Sequence, residues 1–121
     1  MRNMSFSSTK RQLLDGTKTV TRRLGWAFLK PGDRVCAVCK ATGREKGGKI
    51  KRLAELEIMS VRQESLEGFL DYYDNSREIS REGFPAKTWP WFVSMFCREM
   101  RCAPDDTVTR IEFRVVRRLT P

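Results

Sequence analysis

Residues 35–38 read Val-Cys-Ala-Val, an apolar run bracketed by two turn signals that leave it little choice of structure. Before it, Lys30-Pro31-Gly32-Asp33 puts Pro at the second and Gly at the third turn position, the type II pattern. After it, Thr42 to Lys49 is a basic, glycine-rich hairpin tip, and a second strand pattern runs from Ile50 to about Arg62. The chain must therefore build around an antiparallel pair, Arg34–Ala41 with Ile50–Arg62.

The other segments arrange themselves around that pair. Residues 4–7 are extended, and Ser8 or Thr9 caps a helix running to Leu14 that Gly16 stops. Residues 18–23 are rich in β-branched types and read as a strand. Leu66, Phe69, Leu70 and Tyr73 recur at helical spacing behind the cap candidate Ser65. A short helix follows from about Ser76 to Glu82, stopped by Gly83 and Pro85. Trp89 to Met100 is a third, with Thr88 as cap, Pro90 in the first turn, and Trp91, Met95 and Cys97 expected inward. Thr107 to Arg118 is the last strand. This order excludes a regular βαβ series. It predicts one α+β domain over 1–121, a small and mostly antiparallel barrel with helices inserted before its final strand.

Charge is distributed unevenly. The 121 residues hold 24 Lys+Arg against 15 Asp+Glu, a formal +9. Residues 1–52 carry 14 against 3, residues 53–106 carry 6 against 11, and residues 107–121 carry 4 against 1. Two basic ends flanking an acidic middle make one cationic face if the ends meet, the footprint of a phosphate-rich partner. The same excess also serves plain solubility. Arg outnumbers Lys sixteen to eight, which suits forked phosphate contacts.

Absences narrow the chemistry. There are no histidines, so Ser-His-Asp and Cys-His arrangements and His-ligated zinc are excluded. Four cysteines form C-x2-C (Cys36, Cys39) and C-x4-C (Cys97, Cys102), but the first pair lies in a strand pattern, where positions i and i+3 face opposite sides. They read as buried free thiols, which agrees with a cytoplasmic protein that needs no metal or other cofactor. No stretch approaches ~18 consecutive apolar residues, so no membrane span is expected.

The segment that carries chemistry is Asp15-Gly16-Thr17-Lys18-Thr19-Val20-Thr21-Arg22-Arg23. A glycine turn presents Lys18, and a strand then sets Thr21 and Arg23 on one face. Joint action of Lys18 with Thr21 requires Lys18 to lie in the turn, since a continuous strand would face the two apart. From the residues alone, the segment reads first as an ordinary edge strand with solvated charges.

Gly16-x-Lys18-x-x-Thr21-x-Arg23, then Lys-Pro-Gly-Asp, then Arg81-Glu82-Gly83-Phe84 and a terminal Ile-Glu-Phe strand resemble the ASCH domain of the PUA-like superfamily, from about Met4 to Val116. The resemblance implies a PUA-like β-barrel with flanking helices and a cleft associated with RNA or modified nucleosides. In ASCH amidohydrolases that cleave N(4)-acetylcytidine, the motif Lys is general base, the Thr nucleophile and a later Glu proton donor; these fall on Lys18, Thr21 and Glu82. A threonine hydroxyl needs such a base, and a lysine serves if its pKa is brought down by burial and cationic neighbours. The longer basic hairpin and Trp89-Pro90-Trp91 depart from the small bacterial amidohydrolases and favour a larger ligand.

Two further readings share the cleft. A binding module for RNA, or DNA, would use Arg22, Arg23, Arg44, Lys46, Lys49, Lys51 and Arg52 on phosphates and Trp89 on a base; Trp26 and Trp91 are also stacking candidates, with Trp91 assigned to the core. A metal-independent ribonuclease would use the same cations to stabilise the phosphorane charge.

Overall fold

The computed structural model describes residues 1–40, 50–68 and 75–120. Its elements are β1 (Arg2–Ser5), a single 3₁₀ turn (Ser7–Thr9), α1 (Lys10–Leu14), β2 (Val20–Arg23), β3 (Arg34–Lys40), β4 (Ile50–Ser65), α2 (Asn75–Arg81), α3 (Trp89–Met100) and β5 (Thr107–Arg118). The five strands form one sheet in the order β1-β3-β4-β5-β2. Three of its four ladders are antiparallel; β1 joins β3 in parallel, with Met4 opposite Ala37.

The apolar run of β3 is a central strand, and Val35 to Cys39 are buried. The turn before it forms as the Pro-Gly pair demands: Asp33 N–H donates to Lys30 O at 3.0 Å, and Gly32 takes φ +93°. The hairpin tip expected over 42–49, with Arg44, Lys46 and Lys49, lies outside the described residues, as do Phe69, Leu70 and Tyr73. β4 is longer than its sequence pattern suggested. It pairs with β5 down to Ser65–Thr107, so Ser65 ends a strand and is no helix cap. Register shifts at Glu55/Leu56 and Ile58/Ser60 let these long strands bend.

β1 and β2 are the edges, and no backbone ladder closes the sheet into the expected barrel among the described residues. A side chain spans the gap instead. Arg23 of β2 donates from Nη2 to the carbonyl of Ser5 on β1, with its guanidinium 4.6 Å above the Phe6 ring.

Two hydrophobic clusters result. One lies on the α1 side of the sheet and contains Met4, Phe6, Leu13, Leu56, Ile111 and Phe113. The other joins Leu66 and Val108 of the sheet end to Ile79, Phe92, Val93 and Phe96 of the helices. The helical stripe of α3 is thus Phe92, Val93 and Phe96; Trp91, Met95 and Cys97, expected inward, are half-buried beside it. The stripe is set by what α3 packs on, Ile79 and Val108, which its own periodicity does not specify. Thr88 caps α3, its Oγ1 accepting from Trp91 N–H at 3.4 Å. At the other end Arg101 turns left-handed (φ +55°) and Cys102 N–H donates to Cys97 O, bringing the two thiols to 3.9 Å. No helix among the described residues is long and apolar enough to cross a membrane.

Candidate active site

Edge strand β2 is where both faces of the sheet can be reached at once. Its register with β5 pairs Thr21 with Ile111, Arg22 with Arg110 and Arg23 with Thr109. Cross-strand partners share a face. Thr21 and Arg23 therefore sit on the side of the first core, and Arg22 faces the helices.

Lys18 precedes the strand, which starts only at Val20. Gly16 (φ +84°) turns the chain out of α1, and Lys18 N–H is tied back to Gln12 O at 3.0 Å. Lys18 Nζ then reaches the segment after α2, donating to Glu82 O at 2.7 Å and to Glu82 Oε1 at 3.0 Å. The neighbouring Gly83 (φ +103°) makes this approach possible, because a Cβ there would stand 3.0 Å from Gln12 Cβ and 3.4 Å from Lys18 Cβ.

Glu82 is buried and its second oxygen accepts from Arg22 Nη1 at 2.9 Å. Arg22, with no side-chain exposure (0%), also binds Glu78 at 2.8 Å and Glu64 at 3.2 Å. Glu78 in turn takes Arg110 Nε at 2.6 Å. Three buried basic side chains, Lys18, Arg22 and Arg110, thus pair with three carboxylates, Glu64, Glu78 and Glu82. Glu64, Glu78 and Arg110 escape notice in the sequence, although Glu78 is one helical turn before Glu82 and Arg110 alternates with Val108 on a strand.

Burial and the neighbouring charges pull against each other at Lys18, Arg22, Arg23 and Glu78. It pulls the Lys18 ammonium below its ordinary value against the support of Glu82, and the guanidinium groups of Arg23 and Arg22 add to the fall. Burial also lowers Arg23, to about 10 against partial support from Glu82, so it stays charged at neutral pH. For Arg22 burial opposes the charge, yet Glu82, Glu78 and Glu64 outweigh it and the pKa rises. Glu78 shows the mirror image: burial favours the neutral acid, and hydrogen bonds and charges from Arg110 and Arg22 win, lowering its pKa.

Part of this cluster lines a cleft of about 400 Å³ where residues of the two hydrophobic clusters meet, with Glu64, Glu78 and Arg110 outside its lining. Lys18, Thr21, Arg22, Arg23 and Glu82 all face it, with Phe6 and Trp26 from the sheet side and Phe92, Met95 and Phe96 from the helices. The volume falls in the range of small-molecule sites. Thr21 Oγ1 accepts from Arg23 Nε at 3.3 Å, which leaves its own hydrogen for a base. Lys18 Nζ is occupied by Glu82 and makes no hydrogen bond to Thr21. Cys102 is a poor nucleophile in this setting: burial and the Cys97 contact raise its thiol to about 11. Among the described residues no group of three or more Cys, Asp or Glu is arranged to hold a metal ion.

The other sequence candidates are dispersed. Lys51 and Arg52 are exposed where β4 begins, opposite Cys39 and Val38. Trp89 is half-buried and packs with Trp91 against the helical cluster, away from the cleft lining.

The fold is that of ASCH domains. The sequence matches no family model, and no curated protein matches it. Among solved structures, the ASCH domain from Lactobacillus crispatus JV V101 superposes with a TM-score of 0.57 at 18% identity, over 96% of this chain and 80% of that one. Protein PH0355 gives 0.65 at 20% identity, over 96% and 100%. Protein EF3133 of Enterococcus faecalis V583, from family DUF984, gives 0.61 at 17% identity, over 95% and 74%. At these identities the likeness is one of fold.

Proposed function

We propose that the cleft is the active site of an amidohydrolase acting on an N-acylated pyrimidine nucleoside of the N(4)-acetylcytidine type. One observation carries this reading: a buried lysine with a lowered pKa shares a 3.0 Å hydrogen bond with a buried glutamate in the cleft that also presents Thr21. A single proton moving from Lys18 Nζ to Glu82 Oε1 creates a base and an acid together, without proton uptake from solvent.

The step then balances. Neutral Lys18 takes the Thr21 proton while Oγ1 bonds to the acyl carbon, and the Arg23 guanidinium stands beside Oγ1 to stabilise the developing oxyanion. The carbon–nitrogen bond breaks, and the exocyclic amine of the cytosine leaves with the Glu82 proton. Water then cleaves the threonine ester, releasing the carboxylic acid and regenerating the hydroxyl. Arg22 holds the Glu82 carboxyl in place through its other oxygen.

A polynucleotide form of the same ligand is supported by the position of exposed cations. Lys40 is tied through its N–H to Ser7 Oγ at 3.2 Å, Ser7 lines the cleft, and Lys51 and Arg52 begin the adjoining strand. If these groups follow a phosphate backbone, affinity for single-stranded RNA falls steeply as salt rises.

The test of the catalytic reading is release of cytidine from N(4)-acetylcytidine by the wild-type protein and by Lys18→Ala. Turnover by the first and loss with the second, at unchanged fold by circular dichroism, is the expected result. Equal turnover by both overturns Lys18 as the base, and none by either overturns the substrate class.

A further inference from the structure

Two non-glycine residues among those described have positive φ, and one of them, Trp26 (φ +67°), lines the cleft. A bulky side chain in the left-handed region is a genuine outlier, and such outliers persist where the surroundings over-determine them, characteristically at ligand sites. At Trp26 the constraints are visible. The preceding Gly25 is itself left-handed (φ +78°), and its carbonyl accepts from Thr109 Oγ1 at 2.5 Å. Thr109 is buried (1% exposed) and fixed in turn by Gln63 Nε2 at 2.8 Å. On the other side, Leu29 N–H donates to Trp26 O at 3.2 Å. Strands β4 and β5 therefore hold the turn that carries this indole.

The ring has two surroundings. It packs against the sheet-side core, and it also forms part of the cleft lining, across the seam from the helical cluster that supplies Met95 and Phe96. Phe28 lies beside it, ring centroids 5.5 Å apart and tilted by 31°, and the Arg2 guanidinium sits 4.6 Å above Phe28. If the chain needed only the turn, glycine at position 26 would supply it without strain. What glycine cannot supply is a rigid aromatic plane at a fixed place in the cleft wall.

We propose that Trp26 is the stacking wall for the ligand, receiving the flat heteroaromatic ring of a nucleobase on the side of the cleft opposite the α3 side chains. The inference rests on the nucleoside reading for the identity of the ring, and it does not depend on the hydrolytic step. Stacking on an aromatic side chain tolerates any base. Trp26 thus selects for a planar ring, and the Lys18–Glu82 end selects for the group to be cleaved.

The test measures equilibrium binding of cytidine, with ribose as the control that lacks a ring, to wild type, Trp26→Phe and Trp26→Leu. Trp26→Phe keeps a stacking face and retains most of the affinity. Trp26→Leu weakens cytidine by roughly 5- to 150-fold, the range for loss of one base–aromatic stack, and leaves ribose unchanged. With N(4)-acetylcytidine the same variant raises KM more than it lowers kcat. A Trp26→Leu protein that melts like wild type and binds cytidine equally well overturns the proposal. If Trp26→Leu fails to fold, a Trp89→Phe/Trp91→Phe protein retains Trp26 as its sole indole; cytidine must quench its fluorescence, and absence of quenching overturns the proposal. Cytidine binding by wild type without turnover of the acetylated nucleoside removes the amidase and leaves the stacking wall standing.

Discussion

Glu78→Gln is the substitution that most sharply probes how the cleft is held together. Glu78 is 1% exposed and receives Arg110 Nε at 2.6 Å, Arg110 Nη2 at 3.3 Å and Arg22 Nη2 at 2.8 Å. Arg22 and Arg110 are cross-strand neighbours, and Arg62 follows Arg110 in the next ladder, so three like charges stand in a row across the sheet. Like charges directly opposite destabilise a sheet. Glu78 offsets this for the buried pair, so a neutral amide restores the repulsion and removes its ion pairs with Arg110 and Arg22. Breaking a buried pair from one side costs about 3–5 kcal/mol, about a fifth or more of the roughly 5–15 kcal/mol that holds a domain of this size together. The corresponding fall in Tm is about 10–20 °C. Thermal and urea unfolding read this directly, and adding Arg110→Gln must restore on the order of 1 kcal/mol or more, since the two sites are coupled. The pH dependence has a definite sign. Glu78 is lowered from 4.5 in the folded chain, so the unfolded chain binds the extra proton first. Its contribution is complete above about 4.5 and lost as pH falls through the folded value, and wild type and variant converge in acid. A loss under about 1 kcal/mol at neutral pH, with no convergence in acid, would refute the reasoning.

Other outcomes follow from the same geometry. Thr21→Val keeps the β-branched shape and removes the hydroxyl, so turnover of N(4)-acetylcytidine is lost while Tm and cytidine affinity hold; steady-state kinetics beside a melt check this. Gly83→Ala forces a side chain into φ +103° and to 3.0 Å from Gln12 Cβ, so it lowers stability by at least about 1 kcal/mol and weakens turnover by displacing Lys18, as unfolding and kinetics will show. If Lys18 and Glu82 share one reactive proton, kcat/KM falls in alkali as the pair loses it, with a midpoint below the ordinary lysine value of 10.5. A rate that climbs steadily through that range instead would show that Glu82 supplies no proton.

Local rules were legible wherever a residue's own chemistry decides its conformation. The Pro-Gly turn at 31–32, the stop at Gly83, the Thr88 cap and the span of α3 all follow from single residues and their spacing. The Lys18 segment was readable only in part: residues 18–23 read as a strand, and the structure starts that strand at Val20, so that Gly16 leaves Lys18 in the turn. Partnership was harder. That Ser65 continues a strand depends on Thr107 lying opposite, and that Phe92 and Phe96 face inward depends on Ile79 and Val108. Arg22, which reads as a phosphate contact beside Arg23, is held by carboxylates more than forty residues away, two of them buried. Only the fold reveals that the acidic middle of the chain closes over the basic first third.

The most direct test of the Lys18–Thr21–Glu82 account is mass spectrometry of the protein quenched during turnover of N(4)-acetylcytidine, in wild type and Thr21→Val. The account predicts one acetyl group on the wild-type protein, localised by fragmentation to the oxygen of Thr21 and absent from the variant. Cytidine release that continues in Thr21→Val with no acetylated protein would contradict it.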